Sequence, residues 1–170
     1  MRTSALQIVK KAFDPNTVFE VISSIFNPQV KQKGVALTCA TKVNDSTMRI
    51  PSLIGDCRRF QQCLINLVKN ALKFTKKGRI DVCANYSLND EILSVKVTDT
   101  GAGIAEEDIP QLFTRFGKLH RTAKMNSEGI GLGLTIVKQI VEESGGSIFV
   151  HSDGINKGSC FKFSIAMKVA

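Results

Sequence analysis

The sequence lacks tryptophan and has a single tyrosine, and its five cysteines include no CxxC pair. Aromatic residues therefore do not alternate with basic ones as they do on many RNA-binding surfaces. An odd number of scattered cysteines disfavours a disulfide framework or a zinc site and favours a reducing, cytosolic setting. No apolar run approaches the ~18 residues that a membrane-spanning helix needs. The first residues also lack the uninterrupted apolar segment of a signal peptide.

The chain has 170 residues, of which 43% are apolar and 22% charged. This length and balance predict one globular domain with a core large enough to fold without disulfides or metals. Lys and Arg outnumber Asp and Glu by 23 to 15, which gives a net charge of +8. Such an excess suits nucleic acid, anionic lipid or a phosphorylated ligand, and only the location of the charges separates the three.

Apolar periodicity and turn signals predict helices that alternate with strands. Asp14-Pro15 begins a helix that Pro28 should break or kink and that Gly34 ends. Next come strands at 35–41 and 47–50, a helix at 56–75, and a hairpin of strands 79–86 and 92–98. A glycine-rich segment at 99–133, with a short helical stretch near 106–116, precedes a helix at 133–143 and a second hairpin at 147–151 and 159–166. This order predicts an α+β sandwich with a mostly antiparallel sheet.

The 56–75 helix carries a polar stripe beside its apolar face. At ~100° per residue, the stripe spans an arc of roughly 60°, and it consists of Arg59, Asn66, Asn70, Lys73 and Lys77. A carboxamide oxygen can ligate magnesium, and an ammonium group can neutralise phosphate. A solvated helix face is the alternative, although asparagine is a poor helix former with no local reason to lie there.

Two glycine-containing segments are candidate ligand sites. Asp99 continues the buried parity of strand 92–98, so its carboxylate should face the interior, where the exocyclic amine of a purine is one possible donor. Gly101 and Gly103 then leave room for a flat ligand, although a tight Asp-x-Gly turn is the alternative. Gly129, Gly131 and Gly133 precede a helix and could offer amides to phosphate. The context fits neither a dinucleotide-binding fingerprint nor a P-loop.

Together, these segments resemble the catalytic and ATP-binding domain of sensor histidine kinases, in the GHKL group with gyrase, Hsp90 and MutL. Asn66–Thr75 resembles the N box, Asp99–Ile104 the G1 box, Leu112–Phe116 the F box, Gly129–Leu134 the G2 box, and Gly158–Phe161 the closing element. The resemblance implies a Bergerat-type fold, a two-layer α/β sandwich whose mixed, mostly antiparallel sheet is backed by helices. It implies an ATP-binding domain at 13–170 with a lid at about 117–130, and it makes residues 1–12 a remnant of the link to a missing dimerisation domain.

The resemblance also implies roles for individual residues. Asn70 would bind Mg²⁺, Asn66 and Lys73 would act at the phosphates together with Arg59, and Asp99 would accept from the adenine amino group. The full set expected to bind ATP or ADP is Asn70, Lys73, Phe74, Asp99, Gly101, Gly103, Ile104, Lys118, Gly129, Gly131, Leu132, Gly133, Leu134 and Ser159.

The implied reaction is transfer of the ATP γ-phosphoryl group to a histidine in two-component signalling. Hydrolysing relatives have Glu where this chain has Asn66, which favours transfer. Neither His120, in the expected lid, nor His151, on a strand, has the context of a phosphoacceptor. The expected partners are therefore the dimerisation domain of the same parent protein and a downstream receiver domain, with no nucleic acid and no direct membrane contact.

The isolated domain is expected to be a cytoplasmic monomer, and whether its parent is anchored in a membrane is left open. Three alternatives stay open as well. The chain could be a non-catalytic nucleotide- or partner-binding module of a degenerate kinase, a GHKL ATPase or serine-kinase switch, or, on its charge alone, a nucleic-acid binder.

Overall fold

A five-stranded sheet with helices packed on one face forms the body of the protein. The computed structural model describes residues 8–114 and 132–170. The elements are β1 (Lys11–Phe13), α1 (Pro15–Lys33), β2 (Val35–Val43), β3 (Leu53–Gly55), α2 (Cys57–Phe74), β4 (Gly78–Ser87), β5 (Ile92–Asp99), a 3₁₀ helix (Glu106–Gln111), α3 (Gly133–Glu143), β6 (Ser147–His151) and β7 (Ser159–Ala166). The large sheet has the order β2-β4-β5-β7-β6. The predicted α+β architecture is confirmed.

Both predicted hairpins are present, and they account for most of the antiparallel pairing. β4 pairs with β5, and β6 pairs with β7. β5 also pairs antiparallel with β7, whereas β2 and β4 are parallel because α2 lies in the connection between them. Alternate residues of β5 face the helices, and Leu93, Val95 and Val97 are at most 1% exposed. Because Asp99 at the end of β5 continues this alternation, its side chain also points towards the interior.

The helix boundaries follow local capping chemistry. Asp14 caps α1 by accepting a hydrogen bond from the Asn16 amide, and Gly34 ends the helix in the left-handed conformation. Asp56 caps α2 by accepting from the Arg59 amide at 3.0 Å. Of the break or kink predicted at Pro28, the break is wrong, because α1 continues to Lys33. Pro28 lies on the exposed side of the helix, where water can satisfy the carbonyl that loses its amide partner.

Two sequence-based element predictions need correction. Residues 47–50 do not form a strand, and the short strand lies instead at β3, where it pairs with β1. The helical stretch near 106–116 is a 3₁₀ helix that ends at Gln111. β1 begins at Lys11, two residues before the predicted domain boundary at residue 13. In residues 8–114 and 132–170, no helix is both long and apolar enough to cross a membrane.

Candidate functional site

A cavity of about 450 Å³, including its open mouth, lies between the C-terminal end of α2 and the end of β5. Its lining is largely apolar, but it includes Asn70 from the predicted polar stripe and Asp99 from the end of the predicted strand. The lining residues are Asn70, Ala71, Phe74, Asp99, Gly103, Ile104, Leu112, Leu134, Ser159 and Phe161. A concave, largely apolar lining with a few convergent polar groups is typical of a small-molecule site.

Asp99 is the buried carboxylate of this cavity. It is 6% exposed, and its two oxygens accept hydrogen bonds from the Gly101 amide at 2.8 Å and from the Ser159 hydroxyl at 2.5 Å. The tight Asp-x-Gly turn, which the sequence offered as the alternative for this segment, is thus formed. The Asp99 side chain also lines the cavity. Since each carboxylate oxygen has about two acceptor positions, Asp99 keeps acceptor capacity for a ligand.

The loop after Asp99 is fastened to the end of α2. The Ala102 amide donates to the Phe74 carbonyl at 3.0 Å. A Cβ atom at Gly101 would lie 2.5 Å from that same carbonyl oxygen and 2.8 Å from an Asp99 oxygen. Only glycine therefore fits at this crossing, because any side chain would separate the loop from the helix.

The polar stripe of α2 reaches the cavity only at its C-terminal end. Asn70 and Phe74, one turn apart, line the cavity, and the Lys73 ammonium lies 5.5 Å from the Phe74 ring centroid. Asn66 does not line the cavity, but a Cβ atom at Gly133 would lie 3.3 Å from its side-chain oxygen. Asn66 therefore faces the start of α3.

Arg59 is not brought together with the other predicted residues. It lies in the first turn of α2, bonds Gln62 at 2.9 Å, and lines a different cavity beside β3. Eleven residues at ~1.5 Å each separate it from Asn70 by about 16 Å along the helix. Lys77, also placed on the stripe, lies beyond the end of α2.

The remaining predicted residues divide between two regions. Leu134 lines the cavity, while Leu132 immediately precedes α3 and Gly133 begins it; the Leu132 carbonyl accepts from the Ile136 amide at 2.9 Å. Lys118, Gly129, Gly131 and the expected lid at about 117–130 lie outside the described residues.

Three lining residues were not predicted as site residues, namely Ala71, Leu112 and Phe161. Two of them had a usable positional signal. Ala71 directly follows Asn70 on the apolar stripe of α2, and Phe161 has the same strand parity as Ser159. Leu112 is a buried apolar residue that also belongs to the core, and the sequence pattern alone assigns it to packing.

The donor set suits a hard cation that is shared with a ligand. Among the described residues, no group of three or more His, Cys, Asp or Glu side chains could hold a metal ion unaided. Magnesium usually keeps several waters and takes few protein ligands beside substrate phosphates. The Asn70 carboxamide, which lines the cavity, fits that mode of binding.

Comparison with known proteins identifies the same family as the sequence motifs. Residues 55–169 match the family model described as histidine kinase-, DNA gyrase B- and HSP90-like ATPase. The chain therefore belongs to this family, and the resemblance seen in its motifs is confirmed.

Similar folds occur in solved histidine kinase structures. Full-length ShkA in complex with AMPPNP superposes with a TM-score of 0.83 at 24% identity, over 98% of this chain and 33% of ShkA. AdeS from Acinetobacter baumannii gives 0.73 at 26% identity, over 96% of this chain and 70% of AdeS. The catalytic domain of ThkA gives 0.72 at 25% identity, over 95% of this chain and 96% of that domain. The chain thus spans about a third of ShkA and nearly all of the ThkA domain, and its fold is that of histidine kinase catalytic domains.

Proposed function

We propose that this chain is the ATP-binding catalytic domain of a histidine kinase, which transfers the γ-phosphoryl group of ATP to a histidine of a separate domain. The observation that carries the proposal is one cavity lined by a buried carboxylate, Asp99, and by the carboxamide of Asn70. The family membership and the histidine kinase neighbours support it.

The base would bind at the Asp99 side of the cavity. An adenine amino group is a donor, and the Asp99 carboxylate is an acceptor whose orientation two protein hydrogen bonds already fix. Ile104, Leu112 and Phe161 supply apolar surface for the flat ring. Burial strengthens the polar contact because little water competes for it.

The phosphates would bind along α2. Asn66, Asn70 and Lys73 follow one another at intervals of four and three residues, so they share one side of the helix. Asn70 would hold Mg²⁺, which neutralises phosphate charge when bound. Lys73 would place a positive charge beside the same phosphates.

Transfer suits this site better than hydrolysis. Phosphoryl transfer needs positioning and charge neutralisation more than covalent participation by the protein. Asp99 is the carboxylate that lines the cavity within the described residues, and it is engaged by Gly101 and Ser159. Asn66 cannot act as a general base for water, because a carboxamide does not accept a proton at neutral pH.

The acceptor histidine would come from another domain. His151 is exposed on β6 and lies 3.0 Å from Asp153, and it does not line the cavity. His120 lies outside the described residues. We therefore propose the dimerisation domain of the same parent protein as the direct partner, and a receiver domain as the next acceptor.

The test mixes the chain with ATP, Mg²⁺ and a separately purified dimer of histidine-containing helical hairpins. Acid-labile phosphate on that dimer is the expected result. Nucleotide binding without transfer would instead indicate a non-catalytic module, and phosphate release without an acceptor would indicate an ATPase; either outcome contradicts the proposal.

A pair of variants assigns the activity to this cavity. Asn70→Ala should abolish transfer, because the proposed metal ligand is lost. Lys69→Ala, at the adjacent but exposed position of the same helix, should retain transfer. Equal activity of Asn70→Ala and the wild type would refute the proposed role of Asn70.

A further inference from the structure

The turn between β6 and β7, residues 152–158, lies against the loop that forms the base side of the cavity. Two backbone hydrogen bonds join them. The Asn156 amide donates to the Ala102 carbonyl at 2.7 Å, and the Gly158 amide donates to the Gly101 carbonyl at 3.1 Å. Neither amide belongs to a residue that lines the cavity, so this turn supports the site from behind.

The Ser152 hydroxyl makes the third connection and uses its full hydrogen-bonding capacity. Its oxygen accepts from the Ile104 amide at 3.0 Å and from the Gly154 amide at 3.3 Å. Its proton is donated to the Gly158 carbonyl at 2.6 Å. One hydroxyl has one donor and two acceptor positions, so Ser152 ties both ends of the turn to the loop at Ile104.

The two segments are also in close steric contact. Gly103 has φ +66°, and a Cβ atom there would overlap the Gly154 carbonyl oxygen. Gly103 and Ile104 line the cavity, and Ser159, which directly follows the turn, donates to Asp99. A shift of the turn must therefore displace Gly103, Ile104 and Ser159 on the base side of the cavity, because closely packed segments move together.

From these contacts we infer that Ser152 is a positioning residue that sets affinity for the nucleotide base, acting through Ile104 and the loop at 100–104. This inference rests on the proposed function. Ser152 does not line the cavity, and none of its hydrogen bonds reaches α2. Its effect should therefore fall on the base and not on the phosphates.

The experiment compares adenosine with ADP, because both have the base and only ADP has phosphates. In calorimetric titration, Ser152→Ala should bind both adenosine and ADP about tenfold more weakly, since one positioned hydrogen-bond partner is lost. The factor should be the same for the two ligands. Ser152→Thr, which keeps the hydroxyl, should restore most of the affinity. Lys73→Ala should weaken ADP more than adenosine, because its charge is proposed to act on the phosphates.

Ser94→Ala is the matched control. Ser94 is also partly buried and bonds Ser164 at 2.8 Å, but it lies in the middle of β5, away from the cavity lining. It should lower thermal stability without changing the affinity for either ligand. Unchanged binding by Ser152→Ala, or a larger loss for ADP than for adenosine, would overturn the inference. A wild-type chain that binds no nucleotide would instead refute the proposed function.

A second measurement needs no variant. In the wild-type chain, ADP should slow hydrogen exchange at the amides of Asn156 and Gly158, which contact the loop and not the cavity. Unchanged exchange at both amides under saturating ADP would overturn the inference even if Ser152→Ala failed to fold.

Discussion

Replacing Asp99 by asparagine tests the proposed base-binding side of the site with the smallest change in shape. The carboxylate accepts from the Gly101 amide and the Ser159 hydroxyl. An asparagine keeps one oxygen and turns the other into an NH₂ donor. The retained oxygen can still accept from Gly101, and the Ser159 hydroxyl can rotate to accept from the new NH₂ group. The unfolding free energy should therefore change by no more than about 1–2 kcal/mol.

Binding should suffer far more than stability in Asp99→Asn. The adenine amino group would meet a donor in a largely buried site, and it would lose a charged acceptor. A hydrogen bond to a charged group contributes about 1.5–3 kcal/mol, and an unpaired buried donor costs about 1–3 kcal/mol. A loss of about 3 kcal/mol corresponds to roughly 150-fold weaker ADP binding.

The assay is calorimetric titration with ADP and GDP, alongside urea unfolding. Asp81→Asn is the control, because Asp81 bonds Arg79 and Thr38 and does not line the cavity. The ratio of ADP to GDP affinity should fall in Asp99→Asn, since the guanine 6-oxygen can accept from the new NH₂ group. ADP affinity equal to that of the wild type, in a variant that folds, would refute the assignment of Asp99 to the base.

Two further predictions concern stability. Gly103 and Gly34 have nearly the same φ, +66° and +68°, but a Cβ atom at Gly34 meets nothing within 4 Å while one at Gly103 overlaps Gly154. Gly34→Ala should cost about 1–2 kcal/mol of left-handed strain, and Gly103→Ala clearly more; equal losses in urea unfolding would contradict the close contact. Burial raises the pKa of the Cys63 thiol from 9.0 to about 12, so the unfolded chain releases this proton first as pH rises. The contribution of Cys63 to stability should therefore be complete below pH 9.0 and fall by up to about 1.4 kcal/mol per pH unit between 9.0 and about 12. Unfolding of Cys63→Ala across this range should show a flatter slope, and an equal slope would contradict the burial effect.

Period and parity in the sequence were sufficient to bring Asp99 and Asn70 to one cavity. The alternation of β5 placed Asp99 on the buried face, and the helical period of α2 placed Asn70 beside the apolar stripe; both lie in the cavity. Arg59 shares the arc of Asn70 but lies about 16 Å away along the helix axis, and it does not line the same cavity. A helical projection shows the direction in which each side chain points, but it omits the position of the residue along the helix axis.

The features that the sequence did not predict depend on contacts between distant segments. β1 and β3 have three residues each, too few for an alternation to be recognised, and each is held by the other. Pro28 reads as a helix breaker because propensity takes no account of which side of the helix faces water. Ser152 gives no signal, since a serine in a turn is ordinary and its partner Ile104 is 48 residues away.

The Phe74 carbonyl oxygen is a direct point of contact between the two sides of the cavity. This oxygen ends α2, accepts from the Ala102 amide at 3.0 Å, and would lie 2.5 Å from a Cβ atom at Gly101. The spacing between Asp99 and Asn70 is therefore fixed by a direct contact between helix and loop, with no intervening side chain to adjust. Because a carbonyl cannot be removed by substitution, the sensitive position is Gly101. Any larger residue there must increase the distance between Asp99, proposed to bind the base, and Asn70, proposed to bind the metal. The affinity for adenosine and the affinity for Mg²⁺–ADP should therefore both fall.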